Sequence, residues 1–331
     1  MRIHRSRQHA PKRREVGDDG AVDPVRALDT CHGAARRDAL FARGVTARAL
    51  RNAVTSGKVI LPVRGTYALP AAPADVVAAA ALRGQVTCLS ACERWGIPCL
   101  AHPKVPHIAV PADRHILDPR LDALRLPGVH RLTHCDLSTP IASAFDAIDA
   151  AAFCTSPLGQ LVLIEGALDR NLMVLADLNR LTVGDARRLR WLRSNARLGA
   201  QSVSETVARM ALVAGGMKPT IQVQRMRVGR VDMTVGTRHV VEIDGFAFHS
   251  SREAFREDRR RDREIAADGD WSLRFTYADV TEDPRKFVSE VARITGFRIH
   301  TRCDARMRWM LARPADHLNR ERVLTIRRPG T

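Results

Sequence analysis

The stretch GRVDMTVGTRHVVEID, residues 229 to 244, constrains this chain more than any other. Apolar and polar residues alternate on both sides of a glycine, which is the period of two adjacent β-strands. The alternation also selects a register, because a slip of one residue turns every side chain to the opposite face. A two-residue loop of Gly236 and Thr237 would set Met233 against Val240 and Val231 against Glu242, mixing apolar with charged partners. A three-residue loop of Gly236, Thr237 and Arg238 instead pairs Val231 with Ile243 and Met233 with Val241, and puts Asp232 opposite Glu242 on the other face. Asp244 shares that face, since side chains repeat at every second position.

Three carboxylates on one sheet face repel each other unless a cation lies among them. One resolution is Mg²⁺, or Mn²⁺ in its place, bound by Asp232 and Glu242 with waters completing the shell. Such an ion polarises a phosphoryl oxygen and acidifies a bound water, chemistry suited to phosphodiester hydrolysis. The other resolution is arginine. Arg259, on the charged helix that follows, and Arg274, on the polar side of WSLRFTY, are the expected inward cations, because Trp271, Leu273 and Phe275 claim the other side of that strand. Glu205 is a further candidate, although Ser202 and Glu205 have capping-box spacing and the plainer role is to satisfy a helix N-terminus. His249, between strand and helix, could move a proton near neutral pH; the plainer reading is a surface histidine beside Ser250 and Ser251.

Around this hairpin the order reads helix (SVSETVARMALVAGG), three strands, a charged helix ending near Gly269, a strand, and a helix from Pro284 to Gly296, an α/β layer. Near the other end, DALFARGVTARALRNAVTSGKVILPVRGTYALP reads as a helix ending at Gly44, a helix capped by Thr46 and stopped at Gly57, and a hairpin turning at Arg64-Gly65. That is the order of a winged helix. In this reading Arg48 and Arg51 face DNA, and Lys58 and Arg64 sit on the wing against phosphate; the plainer reading is a helical hairpin with solvating arginines. Between the two lies a scaffold of helices and short strands (HIAV, VHRL), with a helix expected to start at Thr139 as cap and Pro140 as first residue.

A chain of 331 residues is longer than one core usually holds. The expectation is therefore an α/β multidomain protein: a disordered basic arm (1–33), a winged helix (34–71), a mixed α/β scaffold (72–195), an α/β domain carrying the acidic face (196–300) and a basic C-terminal extension (301–331). The net charge of +17 points to a polyanion such as DNA, although only five of the 53 basic residues are lysine, the bias a GC-rich genome gives to any protein. No apolar run reaches the roughly 18 residues a membrane helix needs, and no apolar core follows the basic start as in a secretory signal. A cytoplasmic protein with no membrane partner is expected. Seven scattered cysteines fit free thiols. Cys88, Cys92 and Cys99 with His102 can be drawn as a zinc site, but the spacing lacks paired ligand doublets, and simple packing of Cys88 and Cys92 one helical turn apart is the expectation.

Several motifs carry resemblances. From Ser202 to Gly296, the series SxxE, Arg209, Pro219, Gln222, RVDMTV, VVEIDGFAFH, FREDRRRDREI and LRF before a Pro-led helix resembles a bacterial domain-of-unknown-function family related to the very-short-patch-repair endonuclease, within the restriction-endonuclease-like PD-(D/E)XK group. The resemblance implies a restriction-endonuclease-like α/β domain with a Mg²⁺-dependent site on Asp232 and Glu242, Glu205 on the helix, and Asp244 and His249 as accessory groups. The acidic-x-lysine signature has lysine where this chain has Asp244; the repair-type relatives also lack it and use histidine, for which His249 is the candidate here. The segment from Ala35 to Leu69, continued through LSACERWGI and HIAVP, is similar to the winged-helix antitoxin of abortive-infection (AbiEi-type) toxin-antitoxin systems, on the cues RGTYAL and LSA. That similarity implies DNA binding, autoregulation and a cognate toxin as partner.

Overall fold

The computed structural model describes residues 22–113, 128–132, 139–200, 202–244 and 252–313. It is a mixed α/β protein with three small sheets among the described residues, and the chain divides into two compact units, one up to Pro73 and one from Ala74.

The first unit contains α1 (Pro24–Asp29), β1 (Ala34–Arg36), α2 (Arg37–Ala42), α3 (Ala47–Thr55), β2 (Ile60–Val63) and β3 (Thr66–Ala68). The strands form an antiparallel sheet in the order β1-β3-β2. Helix α1 falls inside the arm expected to be disordered. Asp23 accepts the Val25 N–H, Pro24 occupies a position where no N–H is needed, and Ala27 and Leu28 are buried with Cys31 in a core that includes Leu40, Val45, Leu50 and Val59. Only one short turn carries these apolar residues, too few for a periodic signal. Thr46 caps α3 as expected, taking the Ala49 N–H at 3.2 Å. The hairpin turns at Arg64-Gly65, where Gly65 adopts a left-handed φ of +78° that a Cβ would strain.

The second unit runs α4 (Ala74–Leu82), β4 (Gln85–Val86), α5 (Cys88–Arg94), β5 (His107–Pro111), β6 (Gly128–Leu132), α6 (Ala144–Ala150), a 3-10 turn (Ala151–Phe153) and α7 (Pro157–Asp169). It continues through a second 3-10 segment (Leu175–Arg180), α8 (Ala186–Asn195), α9 (Val203–Gly215), β7 (Thr220–Arg225), β8 (Gly229–Val235), β9 (His239–Asp244), α10 (Arg252–Ala267), β10 (Trp271–Thr276), α11 (Tyr277–Thr281), α12 (Pro284–Thr295) and α13 (Cys303–Leu311). One sheet has the order β4-β5-β6 and the other β10-β9-β8-β7, with β10 parallel to β9. The register of β8 on β9 is the one the hydrophobic pattern selects: Met233 pairs with Val241 and Val235 with His239, leaving Gly236 to Arg238 as the loop.

Three expectations give way in this unit. The boundary placed near residue 195 is absent from the packing, because α7 lies against both α9 and α13. Glu165 on α7 is buried and receives Arg209 of α9 at 2.5 Å, the Thr206 hydroxyl at 2.7 Å and the Arg197 N–H at 2.9 Å. A buried carboxylate with a cation and two further donors ties the elements on either side of residue 195 into one interior. The C-terminal extension also joins it, burying Cys303, Met307 and Met310 of α13. Finally, α6 starts at Ala144 with Ser143 as its cap, whereas the Thr139 hydroxyl takes up Gln85 and donates to the Ile141 carbonyl.

Candidate functional site

The acidic face is real, and arginine occupies it. Glu242 on β9 is buried because Val241 and Ile243 on either side belong to the core and the strand cannot lift away. Its Oε1 receives Arg261 of α10 at 2.6 Å and its Oε2 lies 3.2 Å from Arg274 of β10. Arg261 also donates to the Arg230 carbonyl at 2.9 Å, which fixes the guanidinium across β8. Arg274 chelates Asp258 of α10 through two bonds of 2.8 and 3.0 Å and stands 3.9 Å from Asp244. The Arg274 position follows from parallel pairing, which sets it directly beside Glu242. Asp232 uses Oδ2 to accept the Ile243 N–H at 2.8 Å, in place of a continued ladder. Burial pushes the carboxyls of both Asp232 and Glu242 above their ordinary range, and Arg261 opposes that rise in both.

This arrangement does not fit a divalent ion. Both Glu242 oxygens face guanidinium groups, one Asp232 oxygen holds a backbone amide, and the positive charge a metal would bring is already supplied. At Glu205, Ser202 holds the backbone N–H and Oε2 accepts Gln222 Nε2 at 2.8 Å. Arg259 is a correction. It lies exposed with Asp262 at 3.1 Å, and Arg261 is the inward cation in its place, because it sits one helical turn before buried Ile265 while Arg259 is turned well away from that stripe. Arg274 is placed as expected. His249 lies outside the described residues.

In the first unit, Arg48 and Arg51 on α3, Lys58 before β2 and Arg64 at the hairpin tip are all exposed. Leu50 and Ala53 hold the opposite face of α3 in the core, so the arginines have nowhere to point but out. No carboxylate occurs from residue 39 to residue 74. The surface of helix and hairpin is thus cationic without internal compensation from that segment.

A second constellation lies in the middle of the second unit. Cys88, His107, His130 and Cys154 bring one ligand atom each to within 4.8 Å of all the others, and this cluster can hold a metal ion; among the described residues it is the one such group of three or more. The two histidines share a face of the β5–β6 pair: His107 is opposite Gly128 and His130 is two positions further along β6. The His107 ring lies over Gly128, its nearest atom 3.5 Å from where a Cβ would stand, an ordinary contact distance. His107 Nδ1 and His130 Nε2 are 3.0 Å apart, and Cys154 Sγ is 3.4 and 3.5 Å from them. Cys154 follows the 3-10 turn that leads into α7. Cys88 opens α5 with a left-handed φ of +53°, a costly conformation for a residue with a Cβ. Two buried bonds tie this corner to β5, from the Thr87 N–H to the His107 carbonyl at 2.9 Å and from the His107 N–H to the Ser90 hydroxyl at 3.0 Å. Hydrogen bonding from the Cys88 thiol draws the Cys154 thiol well below its ordinary range, with His107 and His130 acting in the same sense against burial, while burial drives Cys88 the other way.

Of the zinc set drawn from sequence, only Cys88 belongs to this cluster. Cys92 and Cys99 are buried, with thiols pushed up by that burial, and His102 pairs with Glu93 at 2.5 Å on the surface. The sequence conceals His107, His130 and Cys154 because the histidines stand 23 positions apart and Cys154 another 24 on, with no close doublet. The available signal was the pair of short strands, each bearing a histidine. No helix among the described residues is long and apolar enough to cross a membrane. Compared with known proteins, the chain matches no family model, no curated protein and no solved structure.

Proposed function

We propose that the protein binds double-stranded DNA through its first unit and acts as a non-catalytic regulator, the restriction-endonuclease-like part of its second unit, residues 196–300, serving as a structured body in which the acidic face is an ion-pair network. The observation that carries the reading is the exposed set Arg48, Arg51, Lys58 and Arg64 on a helix and hairpin that lack any carboxylate between residues 39 and 74. The order helix, strand, helix, helix, strand, strand with sheet order β1-β3-β2 supports a winged helix, in which α3 enters the major groove and the hairpin rests on phosphate. Phosphate contacts by arginine and lysine release counterions, so binding of this kind weakens steeply with salt. An AbiEi-like antitoxin that represses its own promoter and binds a cognate toxin is the form of regulator this supports.

A second reading, a Mg²⁺- or Mn²⁺-dependent endonuclease using Asp232 and Glu242, draws on one observation: Asp232 and Asp244 both add to the proton affinity of buried Glu242, as carboxylates gathered on one face do. It requires Arg261 and Arg274 to leave Glu242, and the regulator reading does not. The test uses the purified full chain and duplex DNA from its own upstream region. Expected is a mobility shift that weakens with salt, with Arg48→Ala or Arg51→Ala costing about 1–3 kcal/mol if it reads a base, or lowering the salt slope by about 1 if it contacts phosphate. No nicking of plasmid is expected with Mg²⁺ or Mn²⁺. Nicking that disappears in Asp232→Asn would overturn the regulator in favour of the nuclease; a salt-insensitive shift, or none, would remove the DNA reading of the first unit.

A further inference from the structure

The geometry points to a structural Zn²⁺ site formed by Cys88, His107, His130 and Cys154. Two imidazole nitrogens and two thiolates around a tetrahedral zinc, at bond lengths of about 2.0 and 2.3 Å, are separated by about 3.3–3.8 Å along the edges. The separations here, 3.0 Å between the nitrogens and 3.4 and 3.5 Å from Cys154 Sγ to each, already approximate that tetrahedron, with Cys88 Sγ within 4.8 Å of every other donor. Four separate elements supply the donors: the first turn of α5, the start of β5, the middle of β6 and the residue after the 3-10 turn. Convergence of four such atoms from distant parts of the chain, with Cys88, His107 and His130 buried, is hard to obtain from packing alone.

The charge balance agrees. Zn²⁺ in the cluster is held by two thiolates and two neutral imidazoles, so the filled site has no net charge, which is what a buried position needs. Hard ions of the Mg²⁺ type would find no oxygen ligand here, and a set of two sulfurs and two nitrogens in tetrahedral array selects zinc over copper(II), which prefers tetragonal geometry. With four protein ligands no position is left open for water, so the ion is structural. It fastens the small β4-β5-β6 sheet to α5 and to the turn entering α7, the helix around which this unit packs. The site owes nothing to the DNA reading and stands or falls separately from it.

The test uses the untagged full chain, with Zn²⁺ as probe. Metal analysis is expected to give about one zinc per chain, and zinc-edge X-ray absorption of the wild type a shell of two sulfurs and two nitrogens. Cys154→Ser and His130→Asn are expected to lower retained zinc at least about fivefold, while Cys92→Ser, a buried cysteine outside the cluster, keeps it. Cobalt substitution of the wild type is expected to give tetrahedral ligand-field bands with thiolate charge transfer. Should the ligand variants not fold, the absorption and cobalt measurements on wild type decide alone. A shell of oxygen and nitrogen only, a wild type that neither contains nor takes up zinc, or a Cys88–Cys154 disulfide in the chain isolated with thiols blocked, overturns the site.

Discussion

The second unit contains two crowded polar clusters, and they handle charge in opposite ways. On the β8–β9 face, carboxylates meet guanidinium groups that the fold itself delivers: Arg261 from α10 and Arg274 from β10 close on Glu242, and Arg274 also holds Asp258. Around β5 and β6, soft donors face one another at 3.0 to 3.5 Å, and what would balance them is an ion from outside the chain. Like residues on a shared sheet face are therefore a poor guide to metal binding. What discriminates is whether the neighbouring elements bring their own cations.

The sharpest way to break that contrast is to remove the cation serving three carboxylates. Arg274→Ala leaves Glu242 buried with one partner fewer and strips Asp258 of both its bonds. Breaking a fully buried pair costs about 3–5 kcal/mol; because the Arg274 side chain is 24% exposed, a loss of about 2–3 kcal/mol is expected in urea unfolding. The variant should then be measured again in millimolar Mg²⁺. If the ion restores most of the loss, the face accepts a metal where arginine stood, and the two clusters differ in degree only. If it does not, the internal ion pairs are what the face is built for.

How far the sequence discloses these sites follows from the range of its signals. The β8–β9 register was legible because Val231, Met233, Val241 and Ile243 alternate with polar residues and a three-residue loop sets like against like; Met233 does pair with Val241, but the ladder stops there, and Ile243 gives its N–H to Asp232 in place of pairing with Val231. Thr46 and Ser202 were legible as caps because a cap is a local bond three residues long. The inward arginine was not: Arg256 to Arg263 are dense with like residues, and only the burial of Ile265 tells which face of α10 turns in. His107, His130 and Cys154 were not, because their meeting depends on parallel pairing of β5 with β6 and on the turn before α7, neither of which any local spacing encodes. Helix α1 shows a third limit, a single turn whose burial is decided wholly by its neighbours.

Proton linkage gives a second test. Burial raises the folded-state affinity of Asp232 and Glu242 for a proton, so each contributes stability that is present below the unfolded carboxyl range and is lost as pH rises through the folded one. Asp232→Asn, which cannot ionise, is therefore expected to unfold less readily than wild type at pH 7 and to lose that advantage near pH 4. Urea midpoints at the two pH values measure it. A metal-bound face would reverse the sign, since an ion lowers carboxyl affinity for protons and makes Asp232→Asn the weaker protein at neutral pH.

The smallest effect expected sharpens the assignment of the inward cation. Arg259 and Arg261 are two residues apart on α10, yet one lies exposed beside Asp262 and the other reaches Glu242 and the Arg230 carbonyl. An exposed pair three residues apart on a helix contributes about 0.5 kcal/mol or less. Arg259→Ala should therefore leave the urea midpoint within that margin, whereas Arg261→Ala should cost several times more, because Glu242 is left buried with Arg274 alone. Equal effects from the two substitutions would mean that the helix carries its charge as a solvated surface, and that the acidic face is open to an ion after all.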